Sequence, residues 1–156
     1  MIQECVTGVT EFQSLCGKLD SPATRETLQD QMKLVTEEAK ELSFAIDNES
    51  SEQVLKEMCD LLVVVTGMVA MLNRSGYRVY EAWRAVNDNN MTKFSASQTD
   101  GYYTLAGYEA TNNGSYELRQ VDIDKWGCFN DNNKLMKPIG YTKISVKEFT
   151  PQRKEQ

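Results

Sequence analysis

Apolar residues recur at helical spacing through the first 94 positions and lose that spacing afterwards. Val9, Phe12, Cys16 and Leu19 fall three and four apart, which predicts an amphipathic helix over 5–19. Ser21-Pro22 reads as the N-cap and first-turn proline of a second helix. Its apolar stripe, Leu28, Met32, Val35, Ala39, Leu42 and Ile46, advances by 4, 3, 4, 3 and 4, and Asp47-Asn48 ends it. Ser50 with Gln53 has the form of a capping box for a third helix, which runs to about Ser75 and stops at Gly76. Tyr77 to Phe94 predicts a fourth, with Tyr80, Trp83, Val86 or Asn87, and Asn90 along one side.

From position 95 the chain is rich in Gly, Asn, Tyr and Thr and predicts short strands and turns. Asn113-Gly114, between YYTLAGYEA and SYELRQVDI, has the form of a hairpin turn, and Asp131-Asn132-Asn133 marks another. The aromatic residues of this tail favour packing over disorder. The expected architecture is therefore mainly α: a four-helix bundle over 1–94 and a small C-terminal β/turn-rich appendage over 95–156, packed on or near the functional site. The longest apolar run, Leu61–Leu72, is interrupted by Thr66 and Gly67 and falls short of the roughly 20 residues of a membrane span. It predicts a core helix, and no membrane partner is expected. MIQECVTGVTEF lacks the basic and apolar regions of a signal peptide, so a cytoplasmic location is expected.

The composition narrows the chemistry. The 156 residues include no histidine, which excludes Ser-His-Asp and Cys-His nucleophilic systems, HExxH zinc sites and two-histidine zinc fingers. A metal must be held by carboxylates, carbonyls or thiolates. Seventeen Lys and Arg against 23 Asp and Glu give a net charge of -6, poorly suited to neutralising a nucleic acid polymer. Cys5, Cys16, Cys59 and Cys128 show no CxxC spacing and read as reduced, mostly buried small residues.

The acidic residues are not spread evenly. Glu37, Glu38 and Glu41 lie on the second predicted helix, and Glu57 and Asp60 on the third. Glu38 with Glu41, and Glu57 with Asp60, stand three apart and share a helix face. Two antiparallel helices joined by a short turn aim these four carboxylates into one gap. The column of Glu57 and Asp60 continues through Val64, Gly67 and Met71, and that of Glu38 and Glu41 through Leu34 and Ala45. Both pairs thus sit on stripes that turn apolar within a turn and face protein. Leaving them uncompensated costs on the order of 3 kcal/mol per buried charge, which a bound hard cation removes. These five acids carry most of the net charge of -6.

The pattern EExxE followed on the next helix by ExxD resembles the all-α nucleoside triphosphate pyrophosphohydrolases of the MazG type. Here it reads Glu37-Glu38-x-x-Glu41 and Glu57-x-x-Asp60, with 15 residues between. Phe12, Asp60-Leu61-Leu62, Gly67 and Asn90-Met91-Thr92-Lys93 are similar to the phage-type, phosphoribosyl-ATP-pyrophosphohydrolase-like branch, as loosely is Asn133–Pro138. Gln13 stands where that branch often has histidine.

The resemblance implies Mg²⁺-dependent hydrolysis between the α and β phosphates of a (deoxy)nucleoside triphosphate, giving a monophosphate and pyrophosphate. Mn²⁺ is an expected substitute, with two or more ions per site. Glu38, Glu41, Glu57 and Asp60 are the implied metal ligands, with Glu37, Glu38 and Glu41 as the catalytic set. Glu37 projects about a third of a turn away, and either orients water or faces solvent. A phage role in adjusting the dNTP pool fits the branch.

Asn87, Asn90 and Lys93 are spaced by three on the fourth helix. They read as phosphate or base contacts, or as a polar helix end whose lysine answers the dipole. Phe12 suits either base stacking or core packing. The strongly apolar third helix implies self-association, and the resemblance implies a homodimer or homotetramer. The competing readings are a phosphoribosyl-ATP pyrophosphohydrolase and a non-catalytic helical interaction module. A carboxylate-bridged di-iron bundle would use Glu-x-x-His, which this chain cannot supply.

Overall fold

The computed structural model describes residues 2–152, and side chains from residue 6 onward. Its order is α1 (Ile2–Leu15), α2 (Arg25–Asn48), α3 (Ser51–Arg74), α4 (Val79–Met91), α5 (Gln98–Thr111), β1 (Tyr116–Asp122) and β2 (Lys125–Asn130), then a short 3-10 turn at Lys147–Phe149. The chain forms two compact units, one of residues 1–79 with 148–156 and one of Tyr80–Lys147.

In the first unit α2 and α3 form a helical hairpin, and α1 packs on α3. Helix α2 starts three residues later than Ser21 suggests. Thr24 is its N-cap, and the Thr24 and Thr27 side chains each accept a hydrogen bond from the other's backbone N–H, a reciprocal box. The Ala23 N–H is drawn out of the helix by the Ser75 hydroxyl, 2.7 Å away. Ser50 caps α3, accepting from the Gln53 N–H, but the expected box is only half formed, because the Gln53 side chain bonds Glu57 instead. Gly76, at φ +83°, ends α3 with Gly76 N–H bonded to the Asn73 carbonyl and Tyr77 N–H to that of Leu72. That left-handed turn is the one a glycine best provides.

The face α2 buries is rotated from the predicted stripe. Met32, Ala39 and Ile46 are exposed, while Gln31 and Ala45 are buried and Leu28, Leu34, Val35, Glu38 and Leu42 half-buried. Gln31, Glu38 and Ala45 repeat every seven residues along its centre. Counting only apolar positions missed this, because two of the three inward residues are polar. Helix α1 behaves likewise. Phe12 is exposed and Gln13 is buried instead, and the helix ends at Leu15 rather than at the expected 19, with Cys16 exposed just beyond it.

The second unit corrects the expected β/turn-rich tail, because YYTLAGYEA is a helix. Ser97 caps α5 by accepting from the Asp100 N–H, and Gly101, Thr104, Leu105 and Tyr108 then fall on one inward side. A Cβ on Gly101 would lie 2.6 Å from Leu118 Cδ1, so glycine lets α5 close on the sheet. The described residues therefore hold five α-helices rather than four. Strands β1 and β2 pair antiparallel, but they turn at Ile123-Asp124 and not at Asn113-Gly114, which joins α5 to β1. The side chain of Asp122 accepts from the Ile123 N–H across that turn. Trp83, on α4, is exposed, with Tyr80 stacked beside it. Of the cysteines, Cys128 is buried but Cys16 and Cys59 are exposed, and the Cys5 side chain lies outside the described residues. No helix among the described residues is long and apolar enough to cross a membrane.

Candidate metal centre

Only Glu49 and Ser50 separate α2 from α3, so the acidic turns of the two helices meet near the closed end of the hairpin. Glu38, Glu41 and Glu57 each present a carboxylate oxygen within 4.8 Å of the others. Their environments are graded: Glu57 is 4% exposed, Glu38 half-buried and Glu41 exposed. The oxygens of Glu57 are differentiated. Oε1 accepts from Gln53 Nε2 and, at 3.0 Å, from Lys56 Nζ. Oε2 is buried and has no hydrogen-bond partner. A buried carboxylate oxygen left unmatched beside two further carboxylates is an unfavourable arrangement for the protein alone.

Electrostatics at Glu38 point the same way. Partial burial pushes its carboxyl above the ordinary glutamate value, and the charges of Glu41, Asp60, Glu57 and Glu37 add to the effect. A divalent cation would relieve both terms, and an all-oxygen donor set suits Mg²⁺ or Mn²⁺. The side chains present therefore fit such an ion.

Asp60 is half-buried beside this group without belonging to the three that converge. Its Oδ2 accepts from Lys56 Nζ at 2.8 Å. Glu37 is exposed and turned to the outer side of α2, where with Lys33, Thr36, Lys40 and Glu41 it lines an open groove of about 580 Å³. A smaller groove of about 340 Å³ lies over Glu41 and Glu57, walled by Lys40 and Phe44.

The remaining candidate residues are on other elements. Phe12, on α1, is 56% exposed, so it is not the core residue its spacing suggests. Asn87 and Asn90 are exposed on α4, and Lys93 follows that helix, half-buried, with its Nζ 2.7 Å from Asn90 Oδ1. These residues belong to the Tyr80–Lys147 unit, the carboxylates to the other.

Four residues have roles at or beside the hairpin that the sequence reading did not give them. Gln53 and Lys56 precede Glu57 and Asp60 by four, the spacing at which helix side chains pair. That spacing alone could have found them. Gln31 and Gln13, each 2% exposed, form a polar seam further along the helices. Gln31 Nε2 donates to the Val64 carbonyl at 2.8 Å and its Oε1 accepts from Lys18 Nζ at 3.1 Å. A Cβ on Gly67 would lie 2.6 Å from Gln13 Nε2, so the seam needs glycine there.

No curated protein and no solved structure is significantly similar to the chain. A family model does match, over residues 26–95, which span nearly all of α2 and the whole of α3 and α4 with both acidic motifs. On that segment the chain is similar to the MazG nucleotide pyrophosphohydrolase domain.

Proposed function

We propose that the protein is a Mg²⁺-dependent nucleotide pyrophosphohydrolase. It would add water across the bridge between the α and β phosphates of a (deoxy)nucleoside triphosphate, releasing a monophosphate and pyrophosphate. The observation that carries this reading is the unmatched Oε2 of Glu57 beside Glu38 and Glu41, inside the segment similar to the MazG domain. Glu38, Glu41, Glu57 and Asp60 would hold the ions. Bound divalent cations supply charge neutralisation of the phosphates and a more acidic water. Glu37, exposed on the outer side of α2, is assigned to orienting water in the groove it shares with Glu41. Gln53 engages Glu57 Oε1 and leaves Oε2 without a protein partner. Asn87, Asn90 and Lys93 are assigned to the substrate, Lys93 to phosphate, and Phe12 to the base. The resemblance to the phage-type branch supports a role in adjusting a dNTP pool.

The test is a panel of dNTPs and NTPs with pyrophosphate as the readout, in Mg²⁺, in Mn²⁺ and in EDTA. Turnover of at least one nucleotide, lost in EDTA and in Glu38→Gln, supports the reading. Activity unchanged in Glu38→Gln and Asp60→Asn removes the metal assignment.

A second observation favours self-association. Leu55, Met58, Leu62 and Val65 are exposed on α3 and advance by 3, 4 and 3, the spacing of a helix–helix seam. We assign that stripe to a second copy of the chain, as a homodimer or homotetramer. Light scattering that finds a monomer at micromolar concentration overturns the assignment.

A further inference from the structure

We propose that Lys56 is a built-in counter-cation of the carboxylate cluster, holding Asp60 aside until a divalent ion displaces its ammonium. The proposal rests on the metal-centre reading above and adds a residue that sets how tightly metal is held. Lys56 Nζ lies 2.8 Å from Asp60 Oδ2 and 3.0 Å from Glu57 Oε1, bridging two of the four implied ligands. The three carboxylates that converge are Glu38, Glu41 and Glu57; Asp60, one turn beyond Glu57, stays outside that group and is the nearer of the lysine's two partners. An ammonium and a divalent cation held on the same two carboxylates repel at close range, so an ion that draws in Asp60 loosens the lysine's hold on it. The lysine side chain is 58% exposed, so its head can move into water on a flexible stem. Lys56 therefore stabilises the metal-free hairpin and opposes loading. A lysine that merely braced the helix surface would act equally on both states.

The experiment compares the whole protein with Lys56→Gln, Lys56→Arg and, as a control for charge alone, Lys40→Gln, which removes a cation beside Glu41. Mn²⁺ binding is followed by the electron paramagnetic resonance of the free ion, and thermal unfolding is recorded in EDTA and in saturating Mn²⁺. Lys56→Gln is expected to bind Mn²⁺ about fivefold more tightly, the size expected for losing one or two partly exposed ion pairs. It should also melt lower than wild type in EDTA and no lower in saturating Mn²⁺. Lys56→Arg should stay close to wild type, and Lys40→Gln should gain less than Lys56→Gln. Equal gains in the two glutamine variants overturn the proposal, as does a melting deficit in Lys56→Gln that Mn²⁺ leaves unchanged. If wild type binds Mn²⁺ no better than Glu57→Gln does, the metal-centre reading itself fails and takes this proposal with it.

Discussion

The two units differ most in how they treat buried polar groups. In Tyr80–Lys147 the buried polar side chains are Ser95 and Thr104, and both neighbourhoods are satisfied. Ser95 exchanges two backbone hydrogen bonds with Trp126, at 2.8 and 2.9 Å. The Thr104 hydroxyl donates to the Asp100 carbonyl and accepts from the Ile139 N–H. Arg119 Nε, which has no hydrogen bond of good geometry, sits against the Glu117 carboxylate with its guanidinium over the Phe129 ring. In the α-helical unit the buried polar residues are Gln13, Gln31 and Glu57, and two of them leave an oxygen unmatched. Charge divides in the same way. Residues 80–147 carry eight Lys and Arg and eight Asp and Glu, so the net charge of -6 belongs to the rest of the chain. Among the described residues the unpaired buried oxygens lie on α1 and α3 of this unit, and the crowded like charges lie on the α2–α3 hairpin, which is what supports the hairpin as the proposed ligand site.

The largest expected effect tests that division directly. Glu57→Gln keeps the volume and the bond from Gln53 but removes the charge. Pyrophosphate release should fall by about 10²–10³-fold, as for loss of one group that stabilises transition-state charge. Matching changes in the second unit, such as Thr104→Val, should leave turnover within about twofold and act on stability instead, as loss of an ordinary hydrogen bond does. A comparable loss of activity in Thr104→Val would erase the contrast.

Two glycines sharpen it on the side of stability. Gly67→Ala puts a Cβ 2.6 Å from Gln13 Nε2, and Gly101→Ala puts one 2.6 Å from Leu118 Cδ1. Each should cost about 1–3 kcal/mol, the range for overpacking a filled interior. Amide hydrogen exchange should show protection lost over 51–74 in the first variant and over 98–130 in the second. Only the first should weaken metal binding. Protection lost everywhere in both would mean that the units unfold as one.

Local signals in the sequence served the helical unit well and the other unit badly, for physical reasons. Helices α2 and α3 were legible because each is long, capped by a hydroxyl and periodic over many turns, and the carboxylates followed from that periodicity. The inward side of α2 was legible only through the acidic column of Glu38 with Leu34 and Ala45; the apolar count pointed elsewhere, because it passes over Gln31 and Glu38. In the second unit α5 is short, and Gly101 and Gly107 break its apolar pattern. Those glycines serve the close approach of Leu118 and Ile139, contacts far away in sequence. The Asn113-Gly114 signal was sound chemistry for a turn in the wrong company, since the helix before it left no strand to pair. Lys56 and Gln53 needed only the i to i+4 rule, applied to the acids rather than to the apolar residues.

A smaller effect asks whether the second unit takes part in substrate binding at all. Lys93 is held by Asn90 at 2.7 Å, a contact that would serve either a helix end or a phosphate site. If it meets phosphate, Lys93→Met raises KM about tenfold with kcat nearly unchanged, the pattern of uniform binding lost. An unchanged KM would confine the substrate to the helical unit and deepen the contrast between the two.

The smallest effect concerns Glu38 and has a sign that depends on pH and on metal. Its folded carboxyl is held above the ordinary value of 4.5, by partial burial first and then by Glu41, Asp60, Glu57 and Glu37. Below about 4.5 the group is protonated in both folded and unfolded chains and contributes nothing. As pH rises past that point the unfolded chain releases its proton first, and the folded chain must then carry a charge its surroundings disfavour. The metal-free fold therefore loses stability from this group as pH rises, and the loss is complete once pH exceeds the folded value. Glu38→Gln removes the penalty. In EDTA at neutral pH it should stabilise by about 0.5 kcal/mol, the scale of relieving like-charge neighbours on a helix. The gain should vanish near pH 4 and turn into a deficit in saturating Mg²⁺, where the charge is needed. Thermal unfolding at three pH values, with and without Mg²⁺, reads all of this. A gain that persists at pH 4 would assign the effect to packing, and one that survives Mg²⁺ would place Glu38 outside the site.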